Sequence, residues 1–165
     1  MPSPQREPSP LSPTQQLARF IGRFDPPVQR LIRAARAGLR KAYPTAIELV
    51  YDNYNALAIG FCSTPRASDC LVSVAAYARG VNLYFYNGAH LPDPTHRLEG
   101  AGRQGRFARF LGAETAREPA VRSLLRAAAL YARTPLPKSG RGRLIIQSVS
   151  AKRRPRSARR SSKSK

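Results

Sequence analysis

The sequence predicts an α+β fold, an antiparallel sheet of about five strands with helices packed on one face. Three observations carry this. Apolar residues recur at helical spacing over residues 15–42 and again after Glu114. Between those regions, from Ile47 to Leu111, the apolar period shortens to two, the period of a strand. Short turns join the strand-like runs, as antiparallel neighbours require, apart from one long loop at 87–105.

Each element has a local reason. Thr14 is placed to cap a helix over 15–23, with Leu17, Phe20, Ile21 and Phe24 on its apolar side. Asp25 followed by Pro26 and Pro27 reads as a helix start, with proline in the first turn. Val28, Leu31, Ile32, Ala35, Leu39 and Ala42 form the buried stripe of that helix; Arg30, Arg33, Arg36, Arg40 and Lys41 form its wet side. Gly38 should cost it ~1 kcal/mol against Ala. Strands follow at about 47–52, 57–61, 71–78, 81–86 and 106–111. The turns Asp52–Asn55 and Arg79-Gly80 link the first two and the middle two. Pro119 opens a last helix whose stripe is Val121, Leu124, Leu125, Ala128 and Tyr131. LIIQSV at 144–149 is a small apolar island with the option of docking as an edge strand.

Alternation assigns the faces of the sheet. Ile47, Leu49, Leu57, Ile59, Phe61, Val81, Leu83 and Phe85 are expected beneath the helices. Glu48, Asp52, the small residues Ala56, Ala58 and Gly60, and Tyr84 and Tyr86 are expected on the other face.

The 165 residues suit one domain, over 14–134. A Pro/Ser-rich leader at 1–13 and a linker with a basic tail at 135–165 are expected to be disordered. No apolar run reaches the ~20 residues of a membrane helix, and the N-terminus lacks the apolar region of a secretory signal. A cytoplasmic protein with no membrane partner is expected, and with it reduced, buried thiols at Cys62 and Cys70. The net charge is +20, and eleven of the 29 basic residues lie from Lys138 onward, where no acid occurs.

The central loop offers three constellations. His90, Asp93 and His96 are candidate metal ligands, since imidazole and carboxylate suit zinc or iron. GAGRQG at 100–105 matches a dinucleotide fingerprint by letter. A loop precedes it and a strand follows, whereas the fingerprint needs strand then helix. Its backbone N–H groups, with Arg103 and Arg106, are instead expected to cradle an anion. The third constellation spans the sheet: Glu48, Tyr51, Asp52 and Asn55 at one hairpin, with Tyr84, Tyr86 and Arg106 alongside. No Ser-His-Asp order or activated cysteine stands out, so no catalytic residue is assigned. An enzyme working through Glu48 or His90 ranks last. No cofactor is indicated.

ELVYDNYNALAIGF (48–61) and NLYFYNGAHLPDPTHRLEGAGRQGR (82–106) resemble the YdhG-like bacterial family, a domain of unknown function. The most specific part is carried by Leu83, Phe85, Gly88, Ala89, Leu91, Asp93, Pro94, Leu98, Gly100, Gly102 and Arg106. The resemblance covers about residues 26–133. It implies a small α+β domain with helices on an antiparallel sheet and, through a distant member, a frataxin-like iron-chaperone role.

Two functions follow as expectations. The first is a non-enzymatic domain binding a small anionic or polar ligand through Glu48, Tyr51, Asp52, Asn55, Tyr84, Tyr86, Asp93, Arg103 and Arg106. The second is non-specific nucleic-acid binding by the tail, through Lys152, Arg153, Arg154, Arg156, Arg159, Arg160, Lys163 and Lys165. Five such charges on phosphates would give a slope of log affinity against log salt of about −4 to −5.

Overall fold

The computed structural model describes residues 8–158. Helices α1 (Pro13–Gly22) and α2 (Pro26–Ala42) come first. Strands β1 (Ile47–Asp52), β2 (Leu57–Cys62), β3 (Cys70–Tyr77), β4 (Gly80–Phe85) and β5 (Arg106–Phe110) follow, then α3 (Pro119–Leu130) and β6 (Leu144–Val149). The architecture is α+β as expected, but the sheet has six strands and is mixed, in the order β5-β4-β3-β2-β1-β6. Consecutive strands β1 to β5 pair antiparallel. β6 joins β1 in parallel.

β6 corrects the boundary expected at residue 134. Its apolar half, Leu144 to Ile146, pairs with Glu48 to Val50 and turns β1 into an internal strand. The chain then runs on beside the β1–β2 turn, where Ser150 N donates to Asp52 O and Arg154 N to Tyr54 O, both at 2.8 Å. So the linker and tail expected to be disordered are folded onto the domain at least as far as Ala158. Arg159, Arg160, Lys163 and Lys165 lie outside the described residues, as do residues 1–7 of the leader.

Ser12, not Thr14, caps α1. Its hydroxyl accepts from Gln15 N and the Gln15 side chain accepts from Ser12 N, a reciprocal capping box. Asp25 occupies the cap position of α2; its carbonyl accepts from Gln29 N at 3.0 Å, but its side chain makes no capping bond to the helix. Its carboxylate instead accepts from Ser157 Oγ (2.6 Å) and Ala158 N (3.0 Å).

Register fixes the faces. Val50, Ile59, Val74, Leu83 and Ala108 stand in one row across five strands and belong to the core beneath the helices. Ile32, Ala35 and Leu39 of α2 and Val121 and Leu124 of α3 belong to the same core, all essentially inaccessible. Each large side chain so buried contributes about 1.5–3 kcal/mol. Gly38 has a steric reason: a Cβ there would stand 2.8 Å from Ala116 Cβ, in the short turn before α3. The expected helix cost is therefore offset by a closer approach of backbone.

The neighbouring row is Leu49, Gly60, Ser73, Tyr84 and Phe107, on the opposite face. β1 is thus turned over relative to the expectation. Ile47, Leu49 and Tyr51 lie on the face away from the helices, and Glu48, Val50 and Asp52 lie beneath them. The reason is that α1 and α2 bring arginines to the two carboxylates, so burial costs less than it would for an unpaired acid.

Candidate functional site

The nine residues expected to share a ligand site fall into separate places. Glu48 is buried under α2, where Arg36 holds it with two bonds, Nε to Oε2 at 2.6 Å and NH2 to Oε1 at 3.2 Å. Asp52 is 1% exposed and receives three guanidiniums, from Arg23, Arg153 and Arg156. Both acids therefore leave the proposed site, and their negative charge is spent inside the protein. Asn55 is exposed in the β1–β2 turn.

Tyr51, Tyr84 and Tyr86 remain together on the helix-free face. Tyr51 pairs across β1–β2 with Ala58, and Tyr84 pairs across β3–β4 with Ser73. Ala58, Gly60, Ser73 and Ala75 thus form a floor of small side chains between Tyr51 on one side and Tyr84 and Tyr86 on the other. The rings of Tyr84 and Tyr86 meet edge to face, centroids 5.1 Å apart at 88°. The hydroxyls of Tyr86 and Ser73 share a 2.8 Å hydrogen bond. Burial pushes the Tyr86 phenol above its ordinary range; Tyr51 and Tyr84 push the same way, and the bond to Ser73 opposes them. At neutral pH the Tyr86 phenol therefore keeps its proton and can both donate and accept. Ser73 is the member that sequence reading missed, because a serine in an apolar strand carries no signal of its own.

Beneath the tyrosines lies a small apolar cluster of Leu49, Cys62 and Cys70, flanked by Ile47 and Ile145. Cys62 and Cys70 face each other across β2 and β3 and are joined in a disulfide, correcting the expectation of reduced thiols. The register shift between Phe61 and Cys62 brings the two positions opposite each other.

The 87–105 loop folds back on the sheet. Glu99 and Phe107 exchange both backbone bonds, at 2.8 and 3.0 Å, and Ala89 N donates to Gln104 O at 2.9 Å. Asp93 is structural: its two oxygens accept from Arg97 N and Leu98 N, both at 2.9 Å. Arg97 in turn pairs with Glu118 at 2.9 Å. The glycine-rich segment turns carbonyls, not only N–H groups, into its bend. Its carbonyls at Gly102 and Gly105 accept from the Arg106 guanidinium, so a cation of the protein itself fills the bend. Gly105 sits directly on the Tyr84 hydroxyl, leaving no room for a Cβ. Loop and tyrosine face are therefore in contact, and Arg103 stands exposed beside them in the loop.

The candidate metal ligands are not assembled. His90 and His96 are exposed, and Asp93 is occupied by backbone donors. Among the described residues no group of three His, Cys, Asp or Glu is placed to hold a metal ion. Of the basic residues assigned to nucleic acid, Arg153 and Arg156 are bound to Asp52. Lys152 and Arg154 are exposed, Arg154 lying over the Tyr54 ring at 5.8 Å from its centroid. No described helix is long and apolar enough to cross a membrane.

Comparison with family models, with curated proteins and with solved structures gives no match for this chain.

Proposed function

We propose that this is a non-enzymatic binding protein, YdhG-like in sequence, which holds a planar anionic or polar small molecule on the tyrosine face. One observation supports this above others. Three tyrosines stand on a face free of helices, and a glycine of the central loop rests on one of them. Flat aromatic surfaces favour flat ligands, and exposed Arg103 favours negative ones. Tyr84, 37% exposed, is the most accessible of the three phenols. The iron-chaperone role implied by the resemblance is a weaker reading, because such delivery relies on an acidic surface and this chain carries +20.

The chain has no tryptophan, so its emission comes from seven tyrosines, three of which stand on this face. Titration with adenosine 5′-monophosphate and with 4-hydroxybenzoate should quench it saturably, and acetate should not. Tyr84→Ala should abolish the response. Equal responses to acetate, or an unchanged response in Tyr84→Ala, would remove this face from the account.

A second reading, nucleic-acid binding through basic residues near the C-terminus, draws on exposed Lys152 and Arg154 and the four basic residues beyond Ala158. Comparison of the full chain with a 1–158 chain in a gel shift tests it without disturbing β6. Equal binding by the two would exclude residues 159–165.

A further inference from the structure

Helix α1 with its flanking residues, and the end of β6 with the segment after it, border an open groove of about 400 Å³, lined by Leu11, Gln16, Arg19, Arg23, Val149 and Arg153 among others. Two of those arginines are built in. Arg23 NH1 and Arg153 Nε both donate to Asp52 Oδ2, at 2.9 and 2.5 Å. Arg156 takes the other oxygen, Oδ1, at 2.9 Å, and also the carbonyl of Asn53 at 2.6 Å. Three guanidiniums thus converge on one carboxylate. Asp25, the acid bound to the same C-terminal segment, receives Ser157 Oγ and Ala158 N.

A guanidinium has five N–H donors, and Asp52 receives only one from each of Arg23 and Arg153. Their side chains keep 41% and 24% of their surface open, so unspent donors meet solvent at the groove. Arg23 also lies over the Phe20 ring, 5.4 Å from its centroid, which steadies the plane of its fork. Arg19 is one turn earlier on α1, exposed, and makes no ion pair among the described residues. Adjacent like charges repel, and an anion entering the groove would relieve that. A planar monoanionic carboxylate is already in place beneath. What the remaining donors suit is a tetrahedral, doubly charged oxyanion able to accept from several forks at once.

We propose that Arg19, Arg23 and Arg153 form a binding site for a phosphate group, with Asp52 as the positioning residue that holds two of them. The site lies on the helix side of the sheet and is independent of the tyrosine face. Its chemistry is shared by a small phosphate monoester and by the phosphodiester backbone of a nucleic acid.

The test uses the full chain at constant ionic strength set with sodium chloride. Calorimetric titration with inorganic phosphate should show one saturable site per chain. Arg19→Gln should weaken it at least about tenfold, the loss expected for one charged hydrogen-bonding partner. Because the Arg19 side chain makes no hydrogen bond or ion pair among the described residues, the melting temperature of Arg19→Gln without phosphate should match that of the parent. Arg153→Gln should weaken binding as much, and Tyr84→Ala should leave it unchanged. A ten-nucleotide deoxythymidine oligomer without terminal phosphate separates the sources. If it competes with phosphate in the parent and not in Arg19→Gln, the diester is accepted; if it does not compete, the site takes monoesters. Absence of saturable phosphate binding, or binding in Arg19→Gln as tight as in the parent, would overturn the proposal.

Discussion

Arg156 follows Asp52 by 104 residues, yet its NH2 lies 2.9 Å from Asp52 Oδ1 with both side chains buried. Arg156 also packs over the Phe24 ring, 5.5 Å from its centroid. A lone buried carboxylate would be costly, and so would a lone buried guanidinium; each is tolerated because the other is there. Asp52→Asn should therefore lose about 3–5 kcal/mol, the range for breaking a buried pair. Urea unfolding at pH 7 measures it, read from the midpoint. Arg23→Gln, which leaves two arginines on Asp52, should cost much less.

Removal of residues 144–165 should do more than remove a tail. β1 would become an edge, and Leu49 and Val50, now inaccessible, would lose their β6 neighbours. Such a chain should melt lower and run as aggregates on size exclusion, whereas a 1–158 chain should melt as the full chain does.

Alkaline pH should destabilise the fold through two tyrosines. Burial raises the phenols of Tyr43 and Tyr86 above the ordinary value of 10.0. In the unfolded chain they ionise near that value, while in the folded protein they keep their protons. Their stabilising effect is thus whole below pH 10 and is lost as pH rises from there towards the folded values, at up to about 1.4 kcal/mol per pH unit for each. Tyr43→Phe should flatten that decline. It should also cost about 1 kcal/mol at pH 7, because the Tyr43 hydroxyl donates to Leu125 O at 2.6 Å. Thermal melts between pH 8 and 12 provide the check.

Gly105→Ala and Gly102→Ala form a matched pair. A Cβ at 105 collides with the Tyr84 hydroxyl, whereas one at 102 finds its nearest neighbour at 3.9 Å. Gly105→Ala should displace the ring, change near-ultraviolet circular dichroism and weaken planar-anion binding. Gly102→Ala should do none of these.

The cysteine pair closes a loop with a sequence separation of 8. Constraint of so short a loop is worth about 2–3 kcal/mol. Cys62→Ser with Cys70→Ser should lose that much in urea. Protein unfolded without reductant should resist alkylation at both thiols, as mass spectrometry would report.

How legible the chain was depends on which neighbour decided each element. Helices α2 and α3 and strands β2 to β5 follow from their own residues, because one face of each is plainly apolar. β1 does not. It is buried on both faces, and Glu48 and Asp52 look like solvent positions until Arg36 and Arg23 are placed beside them. Two-period alternation cannot distinguish a charge that faces water from one that faces an arginine. β6 was visible only as LIIQSV, too short and too isolated to reveal its parallel partner. Tyr84 and Tyr86 keep the face expected for them for the same reason. Tyr84 and Tyr86 sit on the strand whose faces the pattern resolves, whereas the acids sit on the strand it does not. Arg106 was read as aimed at a ligand; it closes the loop on itself, a bond between guanidinium and carbonyls that leaves no trace in spacing.

The parallel seat of β6 beside β1 has a consequence for biosynthesis. A ribosome makes β1 early, but its second neighbour, and two of the three cations that neutralise Asp52, are translated about a hundred residues later. Through that interval the nascent chain carries an open strand and a half-matched buried acid, the kind of surface that chaperones hold. β6 and Arg156 can engage β1 and Asp52 only after they have cleared the exit tunnel, so a stretch made late locks one made early.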